Sequence, residues 1–248
     1  MNETKSTLHE LAKVLRLPIL RSYDEHVSNG ASFEENLIRL LQVEVLERNL
    51  RGIARRTKAA GFPQLKTLDM FEFNRLPGLD PKVVKQLTTG DFVRQKTNVV
   101  GYGNSGMGKT HLMIAVGVEV IQRGYSVRFR KVADLIEELQ EARTHNRLSQ
   151  AMKTWEKVDL LCLDELGYLM LDQQASSLLF QLLSNRYEVK STYLTTNFPF
   201  SKWVDFLGDK TLATALIDRF AHKTIFLNMN GDVSYRLDDG LNKTGSKR

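Results

Sequence analysis

The octapeptide GNSGMGKT, residues 103–110, combines three glycines with a lysine and a threonine directly after the apolar stretch TNVVGY. That stretch is typical of a buried strand, and the apolar run THLMIAVGVEVI that follows is typical of a helix. A glycine-rich loop between a strand and a helix lets backbone N–H groups surround phosphate oxygens, and the helix N-terminus adds the positive end of its dipole. The spacing GxxxxGK[ST] therefore predicts a nucleotide-binding loop.

The residue types of this loop have distinct expected roles. Lys109 is expected to reach the β- and γ-phosphates of ATP, and the Thr110 hydroxyl is expected to be a ligand of Mg²⁺. The other positions predicted to contact the nucleotide are Gly103, Asn104, Ser105, Gly106, Met107, Gly108 and His111. A glycine-rich turn without a ligand is the alternative for the bare pattern, and the flanking strand and helix argue against it.

Two carboxylates, Asp164 and Glu165, end another apolar run, VDLLCLDE. A buried parallel strand would deliver both side chains to the carboxyl edge of the sheet, beside the phosphate loop. Asp164 is then expected to hold Mg²⁺, directly or through a water, and Glu165 to polarise a water for attack on the γ-phosphate. Alone, the pair would only begin a polar loop, but together the two motifs predict ATP hydrolysis.

The next apolar run, STYLTTN, ends in Asn197. If this strand lies between the strands that carry Gly103 and Asp164, the Asn197 amide can orient the attacking water, with Thr195 or Thr196 as lesser candidates. An asparagine that simply forms a turn explains the residue equally well.

Two arginines further along the chain are candidates for contacts with the γ-phosphate. Arg219, in TLATALIDRFAHK, lies off the apolar face of a predicted helix, so it is free to act on a neighbouring subunit as an arginine finger. Pairing with water or a carboxylate is the ordinary alternative. Arg236, in GDVSYRL, is a cation of equally open role.

The order of elements predicts where these residues lie. From TNVVGY onward, apolar β-type runs alternate with helical ones, which predicts a mainly parallel α/β sheet covered on both faces. Residues 1–65 are predicted to be a small helical domain, in which SFEE caps a long helix that ends near Lys58. Residues 66–90 are predicted to be a linker with one short helix, PKVVKQL, and residues 91–248 the nucleotide-binding domain.

Arg48, Arg51, Arg55 and Lys58 recur at spacings of three and four, which places them in one stripe of the long helix. Val43, Leu46, Leu50 and Ile53 lie on the opposite side, which is expected to be buried. The stripe is a candidate contact for nucleic-acid phosphates. A solvated charged face explains it equally well.

The composition fits a folded protein of the cytoplasm. The chain has 248 residues and a formal net charge of +6, which favours polyanionic partners. Its single cysteine, Cys162, cannot form an internal disulfide, which agrees with a reducing compartment. No apolar run approaches the roughly 20 residues that span a bilayer, and the stretch MNETKSTLHE lacks the apolar segment of a secretory signal, so neither export nor membrane contact is expected.

Several motifs in order give the sequence a family resemblance. GNSGMGKTHL, LLCLDELGYLMLD, TTNFPFSKW, LATALIDRFAHKTIF, SYRL and KTLDMFEF resemble the signatures of the IstB transposition helper ATPases, relatives of the DnaC helicase loaders within the AAA+ class. The resemblance extends over nearly the whole chain. Asn104 and Ser105 stand where many members carry proline or other small residues, and Met170 stands where proline is frequent, but no reacting group is lost.

The resemblance implies a P-loop NTPase domain of three αβα layers after the helical domain. It also implies roles for single residues: Lys109 and Thr110 as Walker A, Asp164 and Glu165 as Walker B, Asn197 as first sensor, Arg219 as the finger in trans, and Arg236 as second sensor. It further implies binding to duplex DNA, ATP-controlled self-assembly with ATP sites at subunit interfaces, and a partner transposase of the IstA type.

Three classes of function remain open on the sequence. One is an ATPase that oligomerises on duplex target DNA, remodels it and disassembles on hydrolysis, with a DnaC-like helicase loader as its near neighbour. Another is a P-loop kinase that acts on a small molecule, although Glu165 and the basic helix argue against it. The last is a nucleotide-gated binding module with negligible turnover.

Overall fold

The computed structural model describes residues 3–168 and 170–231. The chain divides into two compact units, Met1–Arg55 and Arg56–Arg248. The division lies within one long helix, earlier along the chain than the predicted boundary at residue 65.

The first unit is helical. It contains α1 (Glu3–Val14), a 3-10 segment (Pro18–Glu25) and the start of α2 (Phe33–Ala60). The predicted cap of α2 is confirmed, because Glu35 N–H donates to Ser32 Oγ at 3.2 Å and the Glu35 carboxylate accepts from Ser32 N–H at 2.8 Å. The helix ends before Gly61, which has a left-handed φ of +70°.

This unit buries little apolar surface. Its buried side chains are Ala12, Leu40 and Glu44, and the Glu44 carboxylate accepts hydrogen bonds from Ile19 N–H and from Arg48. The expectation of a buried apolar side on α2 is wrong for the single chain, since Leu46 is 58% exposed and Leu50 is 51% exposed.

The second unit is built on a five-stranded parallel sheet with the order β2-β3-β4-β1-β5. Its strands are β1 (Asn98–Tyr102), β2 (Val127–Lys131), β3 (Leu160–Leu166), β4 (Ser191–Thr196) and β5 (Thr224–Asn228). Its helices after α2 are α3 (Pro81–Leu87), α4 (Asp91–Arg94), α5 (Lys109–Gln122), α6 (Val132–Thr144), α7 (Leu148–Glu156), α8 (Gln173–Arg186), α9 (Trp203–Phe206) and α10 (Lys210–His222). The predicted parallel α/β architecture is confirmed, and all five strands lie where their apolar runs predicted.

The strand order decides which residues meet. All strands of the sheet run in the same direction, so the ends of β1, β3 and β4 lie at one edge. One face of the sheet buries Leu163 and Leu194 against Trp203, Phe206 and other apolar side chains of the helices. This core fixes the strands that carry the phosphate loop, the acids and Asn197 as a single rigid edge.

A buried arginine donates hydrogen bonds to backbone carbonyls near the starts of β3 and β4, at the end of the strands opposite the acids. Arg186, at the end of α8, donates to the carbonyls of Trp155 at 2.8 Å, Glu156 at 3.0 Å and Val158 at 3.0 Å. It also donates to Ser191 O and to the hydroxyl of Thr192. Burial lowers the pKa of Arg186 to about 10, so the side chain stays charged at neutral pH.

Replacing Arg186 by leucine should destabilise the second unit. The change leaves several interior carbonyls without a donor, and each costs about 1–3 kcal/mol, so the free energy of unfolding should fall by about 3 kcal/mol or more. Chemical denaturation measures the loss. Arg94→Leu is the control, because Arg94 forms only an exposed ion pair with Asp91, whose removal costs about 1 kcal/mol or less. Equal losses in both variants would contradict the assigned role of Arg186.

Candidate nucleotide site

The predicted phosphate loop connects β1 to α5. Gly103 N–H donates to Thr196 O at 3.3 Å, so the loop starts from the edge shared with β4. Gly106 and Gly108 have left-handed φ values of +81° and +79°, a conformation that glycine adopts without steric cost. A side chain at Gly103 would overlap the carbonyl of Met229, so this position also has to be glycine.

Lys109 is buried at the first position of α5, with its ammonium inside the loop. Its Nζ donates to the carbonyls of Gly103 and Asn104, both at 2.7 Å. The backbone N–H of Asn104 donates to the side chain of Asn230 at 3.2 Å. The loop is thus closed around the lysine, which lies where a phosphate chain on the loop would meet it. Of the neighbouring predicted positions, Ser105 is exposed and Met107 is buried.

Asp164 lies beside the start of α5, although 54 residues separate it from Thr110. The Thr110 hydroxyl is 3.0 Å and 2.9 Å from the two oxygens of the Asp164 carboxylate, and the Thr195 hydroxyl donates to Oδ1. The carboxylate-bearing residue is only 1% exposed. Burial raises the pKa of Asp164, and the hydrogen bonds from Thr195 and Thr110 oppose that rise.

These residues fit a magnesium ion. Carboxylate and hydroxyl oxygens are the ligands that Mg²⁺ prefers, and an ion of this kind is held by one or two protein oxygens together with phosphates and waters. Asp164 and Thr110 supply such a pair next to the phosphate loop. The structure therefore brings together the two residues that the sequence predicted as metal ligands.

Glu165 has an unusual backbone and a partner that the sequence analysis missed. Its φ is +64°, in the left-handed region that non-glycine residues rarely adopt. Its carboxylate forms an ion pair with Lys131 Nζ at 2.9 Å, and hydrogen bonding to Glu165 raises the pKa of Lys131. The available signal was the lysine at the end of SVRFRK, since β2 ends at the same edge as β3 and its Lys131 is in register with Asp164.

Asn197 immediately follows β4, and β4 does lie between β1 and β3, as its predicted role requires. The Asn197 side chain is exposed. His111, on the first turn of α5, contacts Thr67 O through Nε2 at 3.0 Å and the ring of Phe71 edge-on. It therefore ties α5 to the segment that precedes the sheet.

Arg219 is held by its own chain, on α10. Its Nη1 donates to Ser184 Oγ at 2.7 Å, and its guanidinium lies 4.7 Å from the centroid of the Phe180 ring. Both of these contacts of Arg219 are with α8, and its predicted role on a neighbouring subunit stays a prediction. Arg236 lies outside the described residues.

All four members of the predicted basic stripe are exposed on α2. Arg48 pairs with Glu44 at 2.7 Å, and Arg51 lies 3.4 Å from Glu47, so two of the four charges are partly compensated one helical turn away. Arg55 and Lys58 complete the stripe.

With this geometry in hand, we compared the chain with known proteins. A family model described as IstB-like ATP binding protein matches residues 5–242. The ATP-binding protein of insertion sequence IS5376 from Geobacillus stearothermophilus is 37% identical over 238 residues, covering 94% of both chains. The chain belongs to the IstB-like ATP binding protein family. Another such relative, from insertion sequence IS21 of Pseudomonas aeruginosa, is 38% identical over 240 residues, which is 94% of this chain and 90% of that protein.

Solved structures support the fold of this IstB-like chain. DnaA from Aquifex aeolicus bound to AMPPCP superimposes with a TM-score of 0.58 at 23% identity, over 75% of this chain and 56% of that one. The DnaC helicase loader gives a TM-score of 0.54 at 21% identity, over 72% of this chain and 99% of that one. The predicted fold class, a mainly parallel α/β sheet covered by helices, is therefore confirmed.

Among the described residues, no helix combines the length and apolar character needed to span a bilayer.

Replacing Lys109 by alanine should weaken nucleotide binding without unfolding the chain. Charge-assisted hydrogen bonds contribute about 1.5–3 kcal/mol, which corresponds to a loss of roughly 10–100-fold in affinity. Titration of a fluorescent ATP analogue measures the affinity, and Lys153→Ala, at an exposed position of α7, is the control. An unchanged dissociation constant for Lys109→Ala would contradict the assignment of the loop.

Proposed function

We propose that this protein is a magnesium-dependent ATPase that binds duplex DNA, assembles with copies of itself and serves a transposase. The observation that supports hydrolysis most directly is the joint position of Thr110, Asp164 and Glu165 at the edge where the phosphate loop begins. A carboxylate at this position can activate either a water or the hydroxyl of a bound acceptor. The basic stripe on α2 favours the ATPase over a small-molecule kinase, because a small substrate needs no such surface.

In the proposed reaction, the loop amides and Lys109 hold the triphosphate, and Thr110 and Asp164 hold Mg²⁺. The ion, when bound, neutralises phosphate charge and aligns the β- and γ-phosphates. Glu165 orients and deprotonates the attacking water, so its carboxylate has to exchange Lys131 for that water. We assign Asn197 the role of fixing the same water from the end of β4, and Arg219 the role of meeting the γ-phosphate of a neighbouring copy.

Self-assembly is supported by the surface of the first unit. Among residues 3–55 of this unit the buried apolar residues are Ala12 and Leu40, too few for a stable core at this size. Ten large apolar side chains are exposed there. They are Leu11, Val14, Leu15, Phe33, Leu37, Ile38, Leu41, Val45, Leu46 and Leu50. We assign this surface to a second copy of the chain, because an apolar surface of this extent is rare on a monomer.

We assign duplex DNA as the polyanion that binds the basic stripe. The assignment of a transposase as partner depends on the names of the related proteins. Two of the relatives are named as proteins of insertion sequences, and each matches this chain over nearly its whole length. We therefore assign this chain a transposase of the IstA type as its partner, as the family resemblance implies. ATP and DNA are then expected to promote the binding of one another, because linkage between two sites is reciprocal.

The variant Glu165→Gln tests hydrolysis directly. Loss of the general base should lower kcat by about 100-fold or more, while ATP affinity stays within about threefold of wild type. Phosphate release measures kcat, and Glu137→Gln, at an exposed position of α6, is the control. Mass measurement on DNA should show assembly that persists with ATP in the variant and dissociates in wild type as ATP is consumed. Unchanged phosphate release in Glu165→Gln would contradict the proposed hydrolysis and favour a nucleotide-gated binding module.

Reversing two charges of the stripe, Arg51→Glu with Arg55→Glu, should weaken DNA binding. The plot of log affinity against log salt concentration should flatten by about 2, since each phosphate contact contributes about 0.9. The matched control reverses two exposed lysines of α3, Lys82 and Lys85, which changes the net charge equally. If both double variants lose the same affinity, DNA is attracted by net charge alone and the stripe is a solvated face.

A further inference from the structure

Strand β3, which carries Asp164 and Glu165, pairs regularly with β2 but has an irregular register with β4. Toward β4, Leu163 is in register with Leu194, and Leu166 is in register with Thr196. Two residues of β3, Asp164 and Glu165, therefore stand opposite the single residue Thr195. This is a β-bulge, a feature that re-aims side chains and recurs next to active sites.

The Thr195 side chain fills the gap that the bulge leaves in the ladder. Thr195 is 1% exposed, its hydroxyl donates to Asp164 Oδ1, and the same oxygen accepts the backbone N–H of Glu165 at 3.0 Å. One hydroxyl thus satisfies both residues of the bulge. Its position two residues before Asn197 also connects the acids to the end of β4.

We propose that Thr195 is the positioning residue of this site: its hydroxyl fixes the Asp164 carboxylate toward Thr110 and supports the left-handed backbone of Glu165. The inference rests on the proposed ATPase function and deepens it. Both hydrogen bonds of the hydroxyl are with the two acids. It acts through the two acids, as the hydrogen-bonding partners of metal ligands do, and loss of such a partner typically costs about 10–100-fold in activity or metal affinity.

The chemistry of the contact separates positioning from packing. Valine has the shape of threonine but neither donates to Asp164 nor accepts from Glu165 N–H. Serine keeps both hydrogen bonds and loses only a methyl group. Thr192 offers a matched control on the same strand, because it is equally buried and its hydroxyl accepts a hydrogen bond from Arg186, away from the acids.

The experiment compares wild type, Thr195→Val, Thr195→Ser and Thr192→Val by three measurements. These are steady-state ATP hydrolysis, the Mg²⁺ concentration that half-saturates binding of a fluorescent ATP analogue, and thermal unfolding. Thr195→Val should lower kcat by about 10–100-fold with KM for ATP within about threefold, and it should raise the Mg²⁺ midpoint severalfold. Thr195→Ser should restore both values to within about threefold of wild type. Thr192→Val should lower the unfolding temperature and leave kcat and the Mg²⁺ midpoint unchanged.

Two results would overturn the inference. One is a folded Thr195→Val variant with the kcat and Mg²⁺ midpoint of wild type. The other is a Thr195→Ser variant as impaired as Thr195→Val, which would assign the effect to packing. If wild type binds the nucleotide and releases no phosphate, the proposed ATPase function fails instead. The Mg²⁺ midpoints of the four proteins then still decide the role of Thr195.

Discussion

The structure depends on the hydrogen bonds that stabilise one buried carboxylate, that of Asp164. Asp164 ends a fully apolar stretch of β3, where a charge without hydrogen bonds would be strongly unfavourable. Two hydroxyls solve this problem, one from α5 and one from β4. The pair can form only if β4 lies next to β3 and the phosphate loop delivers α5 to the same edge. The sheet order β3-β4-β1 meets both requirements. The strand order of the fold therefore determines the geometry of the site.

The same constraint explains why the neighbouring acid is strained. Because Thr195 is shared between Asp164 and the backbone of Glu165, the strand bulges and Glu165 takes a left-handed conformation. Such outliers persist where the surroundings fix them, and they occur often at functional sites. In this state Lys131 neutralises the Glu165 carboxylate. The acid required for hydrolysis in our proposal is thus held close to the phosphate loop yet engaged elsewhere.

Local chemistry made much of this predictable from the sequence. The phosphate loop and the acids follow continuous apolar runs, and such runs in alternation with helices specify buried parallel strands. The capping box likewise predicted the start of α2, because both of its hydrogen bonds are local. What the sequence analysis missed is long-range: the bulge at Asp164 and Glu165, and the ion pair with Lys131, for which the lysine at the end of SVRFRK was a signal. Both depend on which strand is the neighbour and in what register, which single-sequence patterns do not encode.

The helices of the first unit could be predicted from the sequence, but the exposure of their apolar side chains could not. Leu46 and Leu50 have the spacing of a buried face, yet both side chains are exposed. The break between α6 and α7 is not marked in the sequence, because the turn at Asn146 has no glycine or proline and the helical pattern, with Met152 and Trp155 buried, continues beyond it. In both cases the helical pattern is present, and tertiary context decides what it means.

The central claim is that Mg²⁺ and a triphosphate bind between the phosphate loop and Asp164. A crystal structure with Mn²⁺ and a non-hydrolysable ATP analogue tests it most directly, because anomalous scattering locates the metal independently of the model. We expect a metal peak bound to Thr110 Oγ1, with Asp164 as a direct or water-bridged ligand and Lys109 Nζ on the β- and γ-phosphates. A bound analogue whose metal lies elsewhere, with Asp164 still turned to Thr110 and Thr195 alone, would contradict it.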